Sequence, residues 1–230
     1  MNNKKFTIVV PTLWKYSPFI DFLTQLVENP IIDQIIIINN DNDAVPYHSP
    51  VLAHSKIEIV AFPWNVKVNP AWNLGVWMSR CNNICILSDD VTFDTKIFDL
   101  VAEKLQPGTL IVNDVDLNPS IDKQVSILPY KEGMPLLHFG ALMFVRKEDW
   151  LDIPAGLNLF YGDYWIWKTM EARFNNNYVI NNLYFHTPGS VTVSTFTDRE
   201  LIGRVETQFW VHAMDQFKKN YLGLLSKSNV

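Results

Sequence analysis

The feature that most constrains this chain is a regular alternation of short β-branched runs with amphipathic segments of helical period. FTIVV (Phe6–Val10) is continuously apolar and closed by Pro11. A run without polar alternation must be covered on both faces, so it reads as a buried strand of a parallel sheet. In SPFIDFLTQLVENP, Phe19, Phe22, Leu23, Leu26 and Val27 fall on one helical face, with Ser17 as cap and Pro18 at the first helical position. IIIINN (Ile35–Asn40) and IEIVAF (Ile57–Phe62) follow as strands. Asn69-Pro70 opens the helix NPAWNLGVWMSR, and NICIL (Asn83–Leu87) is a fourth strand. The helix FDTKIFDLVAEKL, stopped by Pro107-Gly108, leads into a fifth strand, TLIV (Thr109–Val112). Strands separated by helices of this length build βαβ units, and so a parallel sheet with helices on both faces.

From about residue 120 the rhythm changes. VSILPY and HFGALMFV read as strands joined by a loop, GDYWIWKTMEARF as a helix, and YVINNLYF as one or two short strands. A closing helix repeats Leu201, Val205, Phe209, Ala213 and Phe217 every four residues. The expected class is therefore α/β, a Rossmann-like, mostly parallel sheet with a mixed cap and a C-terminal helix. At roughly 100–200 residues per domain, 230 residues make a single domain. Its nucleotide-binding-like half is expected over about 1–118, and the half that completes a cleft over about 119–230.

The net charge of −5, with no Lys/Arg run longer than two, gives neither the basic stripe of a dedicated nucleic-acid binder nor a polybasic membrane patch. Cys81 and Cys85 lack the second Cys/His pair that a zinc site would need, and read as buried reduced thiols of a cytoplasmic protein. Pro11 interrupts the apolar stretch of MNNKKFTIVVPTLW, which does not read as a signal peptide. The longest mostly apolar stretch, Leu136–Val145, falls far short of the ~20 residues that span a bilayer.

Open α/β sheets bind ligands at the carboxyl ends of their strands. Here those ends are Pro11-Thr12, Asn39-Asn40-Asp41, Trp64-Asn65 and Ser88-Asp89-Asp90. Adjacent carboxylates at a strand mouth are hard oxygen ligands, suited to Mg²⁺ or Mn²⁺ bridging phosphates. The competing role is capping of the helix that begins near Asp94, for which Asp90 stands too early. A rival metal site is the D-x-D of Asn113-Asp114-Val115-Asp116. No helix follows it, and Asn118-Pro119-Ser120 reads as a turn after an edge of the sheet.

At this point the residues resemble a known family. FTIVVPT, IIIINN-D, the N-x₇-N-L-G of Asn65 to Gly75, and ICILSDDV look like the inverting family 2 glycosyltransferases of GT-A fold, the rhamnosyltransferase-like branch in particular. FGALMFVRKEDW (Phe139–Trp150) is similar to that family's acceptor-side segment, and FYGDYWIW (Phe160–Trp167) to its F-x-E-D-x-D segment. FHTPGSVT (Phe185–Thr192) is similar to its H-x-x-G-S segment, and QFWVHAMDQFKKNYLG to its closing helix. The resemblance covers nearly the whole chain in order. Phage-borne members, with G-D-x-W in place of E-D-x-D, look nearer still.

The resemblance implies a nucleotide-sugar donor and an acceptor hydroxyl on a glycan or small saccharide. Thr12 and the Asn39, Asn40 and Asp41 cluster would hold base and ribose, Asn73 would help shape the diphosphate pocket, and Asp89 would contact the ribose or the metal, with Pro11, Asn65 and Ser88 also on the donor side. Asp90 and His186 would hold Mn²⁺ or Mg²⁺, the imidazole favouring Mn²⁺. Asp163 would be the catalytic base, taking the acceptor proton as the anomeric centre inverts.

Three segments depart from the family's pattern. Ser88 replaces the first carboxylate of its triplet. Trp72 stands where a basic residue is common, leaving charge neutralisation to the metal, with Lys67 as a candidate helper. Gly162 and Trp165 replace the outer acids around Asp163.

Other readings stay open. Asp163 is also placed to cap the helix that follows, and His186 to be a hydrogen-bonded strand-end histidine. Trp150, Phe160, Trp165 and Trp167 read individually as core. A second acceptor class is a modified (hydroxymethylated) base in DNA, met by a local basic rim of Arg146, Lys147, Lys168 and Arg173. A third reading, a nucleotide-sugar-binding module without catalysis, follows from Ser88 and Gly162.

Overall fold

A computed structural model of the chain describes residues 4–113, 123–132, 134, 139–187 and 199–222. Eight strands form one sheet in the order β3-β2-β1-β4-β7-β5-β8-β6. The first four are β1 (Phe6–Thr12), β2 (Ile32–Asn39), β3 (Ile57–Ala61) and β4 (Asn83–Leu87), all parallel. β5 (Leu110–Asn113) and β7 (Leu142–Arg146) pair antiparallel, as do β7 and β4. β8 (Asn177–Asn181) runs parallel to β5, and β6 (Ser126–Pro129) closes the far edge antiparallel to β8.

The continuously apolar strands are buried on both faces. Along β1, Phe6, Ile8 and Val10 enter one core and Val9 the other, and in β4 Cys85 and Leu87 oppose Ile84 and Ile86. The first core lies under α1 (Pro18–Glu28) and α3 (Ile97–Lys104). Phe6, Phe98 and Phe144 meet there edge to face, with centroids 5.4–5.8 Å apart. The second core lies under α2 (Val68–Met78), α4 (Gly162–Phe174) and α5 (Arg199–Phe217).

Several expectations need correction. The strands of the second half join the same eight-stranded sheet. β7 inserts between β4 and β5, so β5 is interior to the sheet rather than at its edge. The expected boundary near residue 118 falls outside the described residues, as do Asp114 and Asp116 of the rival D-x-D. Ser17 holds the cap position of α1, as expected, but makes no side-chain cap bond, and α3 starts at Ile97 rather than at Phe93.

The apolar series of the last helix coincides with its buried face only at Ala213 and Phe217. Leu201, Val205 and Phe209 are exposed. A repeat of four overshoots the 3.6-residue turn by about 40° per step, so such a series winds round the helix. The inward face is Gly203, Glu206, Trp210, Ala213 and Phe217, which does follow the helical period.

Candidate active site

The chain runs from β1 to β2 on one side and later returns to lay β4 on the other, which makes the carboxyl ends of β1 and β4 a topological switch point. The register pairs Val9 with Ile86. Carried three residues further, it sets Thr12 opposite Asp89. There the Thr12 hydroxyl donates to Asp89 Oδ2 at 2.5 Å, and the Leu13 amide donates to the same oxygen at 3.3 Å. Trp14, whose φ is +58°, turns back to donate its amide to Thr12 Oγ1 at 2.8 Å. Burial pushes the Asp89 carboxyl up to about 6, the Thr12 bond opposing the shift and the neighbouring Asp90 charge adding to it.

A recess opens at this point, lined by Pro11, Thr12, Asn40, Asn65, Lys67 and Asp89, with Leu13, Val68 and Leu159 as apolar wall. Asn40 accepts from the Val66 amide and Asn65 from the Lys67 amide, which folds the β3–α2 loop over the recess. Lys67 holds φ +71° and ψ 177°, a region that costs a non-glycine residue on the order of 1–3 kcal/mol.

Other expected donor residues sit behind this surface. Asn39 is fully buried, accepts from the Trp14 indole at 2.8 Å and donates to Asn42 at 2.6 Å, tying the loops after β1 and β2 together. Asp41 accepts from the Asp43 amide and starts a short 3₁₀ turn. Asn73 does not reach the recess lining. Its amide donates to the Ile153 carbonyl, and its oxygen accepts from the Trp150 indole and the Ile153 amide, so it braces α2 against residues 150–153. Ser88 donates its amide to the Ala141 carbonyl at 2.9 Å.

Asp90 is buried at the same mouth. Two residues on, Thr92 exchanges both backbone hydrogen bonds with His186, at 3.0 Å each, which stitches His186 beside the Asp90 segment. Tyr16, which the sequence reading overlooked, holds His186 Nδ1 at 2.9 Å and leaves Nε2 directed elsewhere. Among the described residues no three His, Cys, Asp or Glu side chains converge as a metal cage. Asp90 and His186 are the residues at this mouth that could hold a cation whose remaining ligands are phosphate oxygens and water, since Mg²⁺-type ions commonly take few protein ligands at nucleotide sites.

Asp163 lies in the first turn of α4, after Tyr161 at φ +61°, with Oδ1 accepting from the Tyr164 amide at 2.9 Å. It is not the cap residue; that position is Tyr161. A Cβ placed on Gly140 would lie 2.8 Å from Asp163 Oδ2, and the next residue, Ala141, accepts the Ser88 amide. Asp163 is thus brought next to the β4 mouth through Gly140. Gly162 packs closely against α2, since a Cβ there would meet Asn69 Oδ1 at 2.0 Å. The departure at this position is therefore a tight contact between α2 and α4.

Trp165 and Trp167 are core, as the sequence suggested. The aromatic surface near Asp163 comes instead from Tyr164, which is 46% exposed, and from Tyr161 stacked on Trp210 with centroids 5.6 Å apart. The residues of the expected basic rim are engaged with other groups. Because β7 is antiparallel to β4, Arg146 pairs with Asn83, at the opposite end of β4 from Asp89. Lys147 bonds the Trp77 and Ser79 carbonyls, Lys168 pairs with Glu171, and Arg173 donates to the Asp149 carbonyl. Both cysteines are free, Cys85 buried in β4 and Cys81 half-buried.

No family model and no curated protein sequence matches this chain. Solved structures do match in fold. S. aureus TarS 1-349 superposes with a TM-score of 0.56 at 10% identity, over 79% of this chain and 59% of that one. The same protein in complex with UDP-GlcNAc gives 0.55 at 10% identity, over 87% and 65%. A mycobacterial protein gives 0.61 at 12% identity, over 89% and 74%. The chain therefore spans about three fifths of TarS 1-349, and at these identities the likeness establishes a GT-A-like fold. No helix among the described residues is long and apolar enough to cross a membrane.

Proposed function

We propose that this chain transfers a sugar from a nucleoside-diphosphate sugar to an acceptor hydroxyl on a glycan or small saccharide, inverting the anomeric carbon. The observation that carries the reading is the recess at the β1/β4 switch point, in a fold shared with a protein solved in complex with UDP-GlcNAc. The family 2-like motifs along the chain support it.

Nucleoside and ribose would lie against Thr12, Asn40 and Asn65. The diphosphate would face Lys67 and the amino end of α2, where cation and helix dipole both favour anions. Asp90 and His186 Nε2 would hold a divalent cation, Mn²⁺ or Mg²⁺, whose chemistry is to neutralise charge on the departing diphosphate. The acceptor oxygen attacks the anomeric carbon as the bond to the β-phosphate oxygen breaks. Asp163 takes the hydroxyl proton, and the nucleoside diphosphate leaves with the bonding pair. Tyr164 and the Tyr161–Trp210 pair supply an aromatic wall for a saccharide ring beside Asp163.

A panel of nucleoside-diphosphate sugars, read by thermal shift with and without Mn²⁺, tests this. One donor should raise Tm in a Mn²⁺-dependent way, since a bound ligand stabilises the fold by RT ln(1 + [L]/Kd). A flat response across uridine, guanosine, thymidine and cytidine donors at millimolar concentration would contradict it.

A further inference from the structure

Glu206 is an acid in the middle of the inward face of α5, and it is 3% exposed. Burying a carboxylate is costly unless its oxygens are satisfied, and among the described residues no ion pair joins it. Its partners are backbone amides. Oε2 accepts from Phe160 at 2.7 Å, and both oxygens accept from Leu159 at 3.1 Å. The same stretch is held from the other side by Asn69 of α2, whose amide donates to the Asn158 carbonyl and whose Nδ2 donates to the Phe160 carbonyl, each at 3.0 Å. Two further α5 contacts extend the clamp, Thr207 to the Tyr161 hydroxyl at 2.7 Å and Trp210 stacked on the Tyr161 ring.

The segment gripped in this way is the one that joins the two halves of the site. Leu159 lines the donor recess, and four residues later the chain delivers Asp163. We propose that Glu206 is a positioning residue. It fixes the Leu159–Tyr161 backbone so that the recess wall and Asp163 keep a set spacing, and α5 thereby governs turnover without touching substrate. This rests on the transferase reading for its effect on turnover, but not for the clamp itself.

The test compares wild type with Glu206→Ala and Glu206→Gln. Gln can place its carbonyl where Oε2 stands and keep both amides bonded. Amide exchange at Leu159 and Phe160, melting temperature, and kcat and KM for the donor are measured together. In Ala, exchange at those two amides should accelerate while the amides of β1 and β4 stay protected. Turnover should fall ~10²-fold, the order expected when reacting groups are misplaced by about 1 Å. Gln should recover turnover to within tenfold of wild type. Glu206→Asp, which withdraws the carboxylate by one methylene, carries the same expectation as Ala and serves if Ala does not fold. Unchanged exchange at Leu159 and Phe160 in Ala or Asp would overturn the clamp. Faster exchange with wild-type kcat would overturn its role in turnover. A wild-type protein that transfers no sugar refutes the transferase reading instead, and leaves exchange to decide the clamp.

Discussion

The Thr12 hydroxyl donates to the Asp89 carboxylate at 2.5 Å across the switch point between β1 and β4. The bond joins the loop after the first strand to the acid at the mouth of the fourth, and fixes the floor of the recess before any ligand arrives.

Asp89 should make the ligand-free fold sensitive to pH. Burial raises its carboxyl to about 6 from an unperturbed 3.8. Its contribution to stability is complete below about pH 4, where folded and unfolded chains both hold the proton. It is lost as pH rises through about 6, because the unfolded chain gives the proton up first. Asp89→Asn keeps an oxygen for Thr12 and Leu13 without the buried charge. At pH 7 it should be more stable than wild type by on the order of 2–3 kcal/mol, and the difference should fade as pH drops below about 4. Donor binding should fall. Calorimetry of both proteins at the two pH values decides this, and parallel pH profiles would refute it.

A cation at Asp90 and His186 predicts a graded loss. Titration of Mn²⁺ by electron paramagnetic resonance, in the presence of nucleoside diphosphate, should find no specific site in Asp90→Ala. His186→Ala should bind ~10–100-fold more weakly, and Tyr16→Phe, which frees the imidazole to turn, should lose a smaller factor. Normal binding in Asp90→Ala together with loss in Asp116→Ala would move the cation to the segment after β5.

Gly162→Ala tests the contact between α2 and α4. The new methyl would fall 2.0 Å from Asn69 Oδ1, on a side chain already bonded to the Phe160 carbonyl. Overpacking of this kind costs ~1–3 kcal/mol, and each kcal/mol lowers Tm by about 2–4 °C at this chain length. A variant melting with wild type would mean that Asn69 moves aside freely and that Gly162 is not required by packing.

Much of the first half was legible because its strands are local, apolar and closed by turn residues. FTIVV and NICIL lie where their apolar pattern puts them, in β1 and β4. The parallel register then carries the strand ends, and Thr12 with Asp89, to one place. The insertion of β7 between β4 and β5 was not legible, because antiparallel pairing across about sixty residues leaves no trace in local period. The partners of Asn39 and Asn73 were not legible for a different reason. Polar residues at strand and helix ends serve loop backbones as readily as ligands, and only the partners tell which. Glu206 was hidden by counting every fourth residue; a strict helical period would have exposed an acid on an apolar face.

The central claim is inverting transfer with Asp163 as base, and Asp163→Asn tests it most directly. Asparagine retains an oxygen for the Tyr164 amide, so Tm should hold, while it cannot take a proton at neutral pH. Turnover should fall ~10²–10⁴-fold with donor affinity nearly unchanged, and NMR of the wild-type product should find the anomeric configuration opposite to that of the donor. Full turnover in Asp163→Asn, or a product that retains the donor's configuration, would contradict the account.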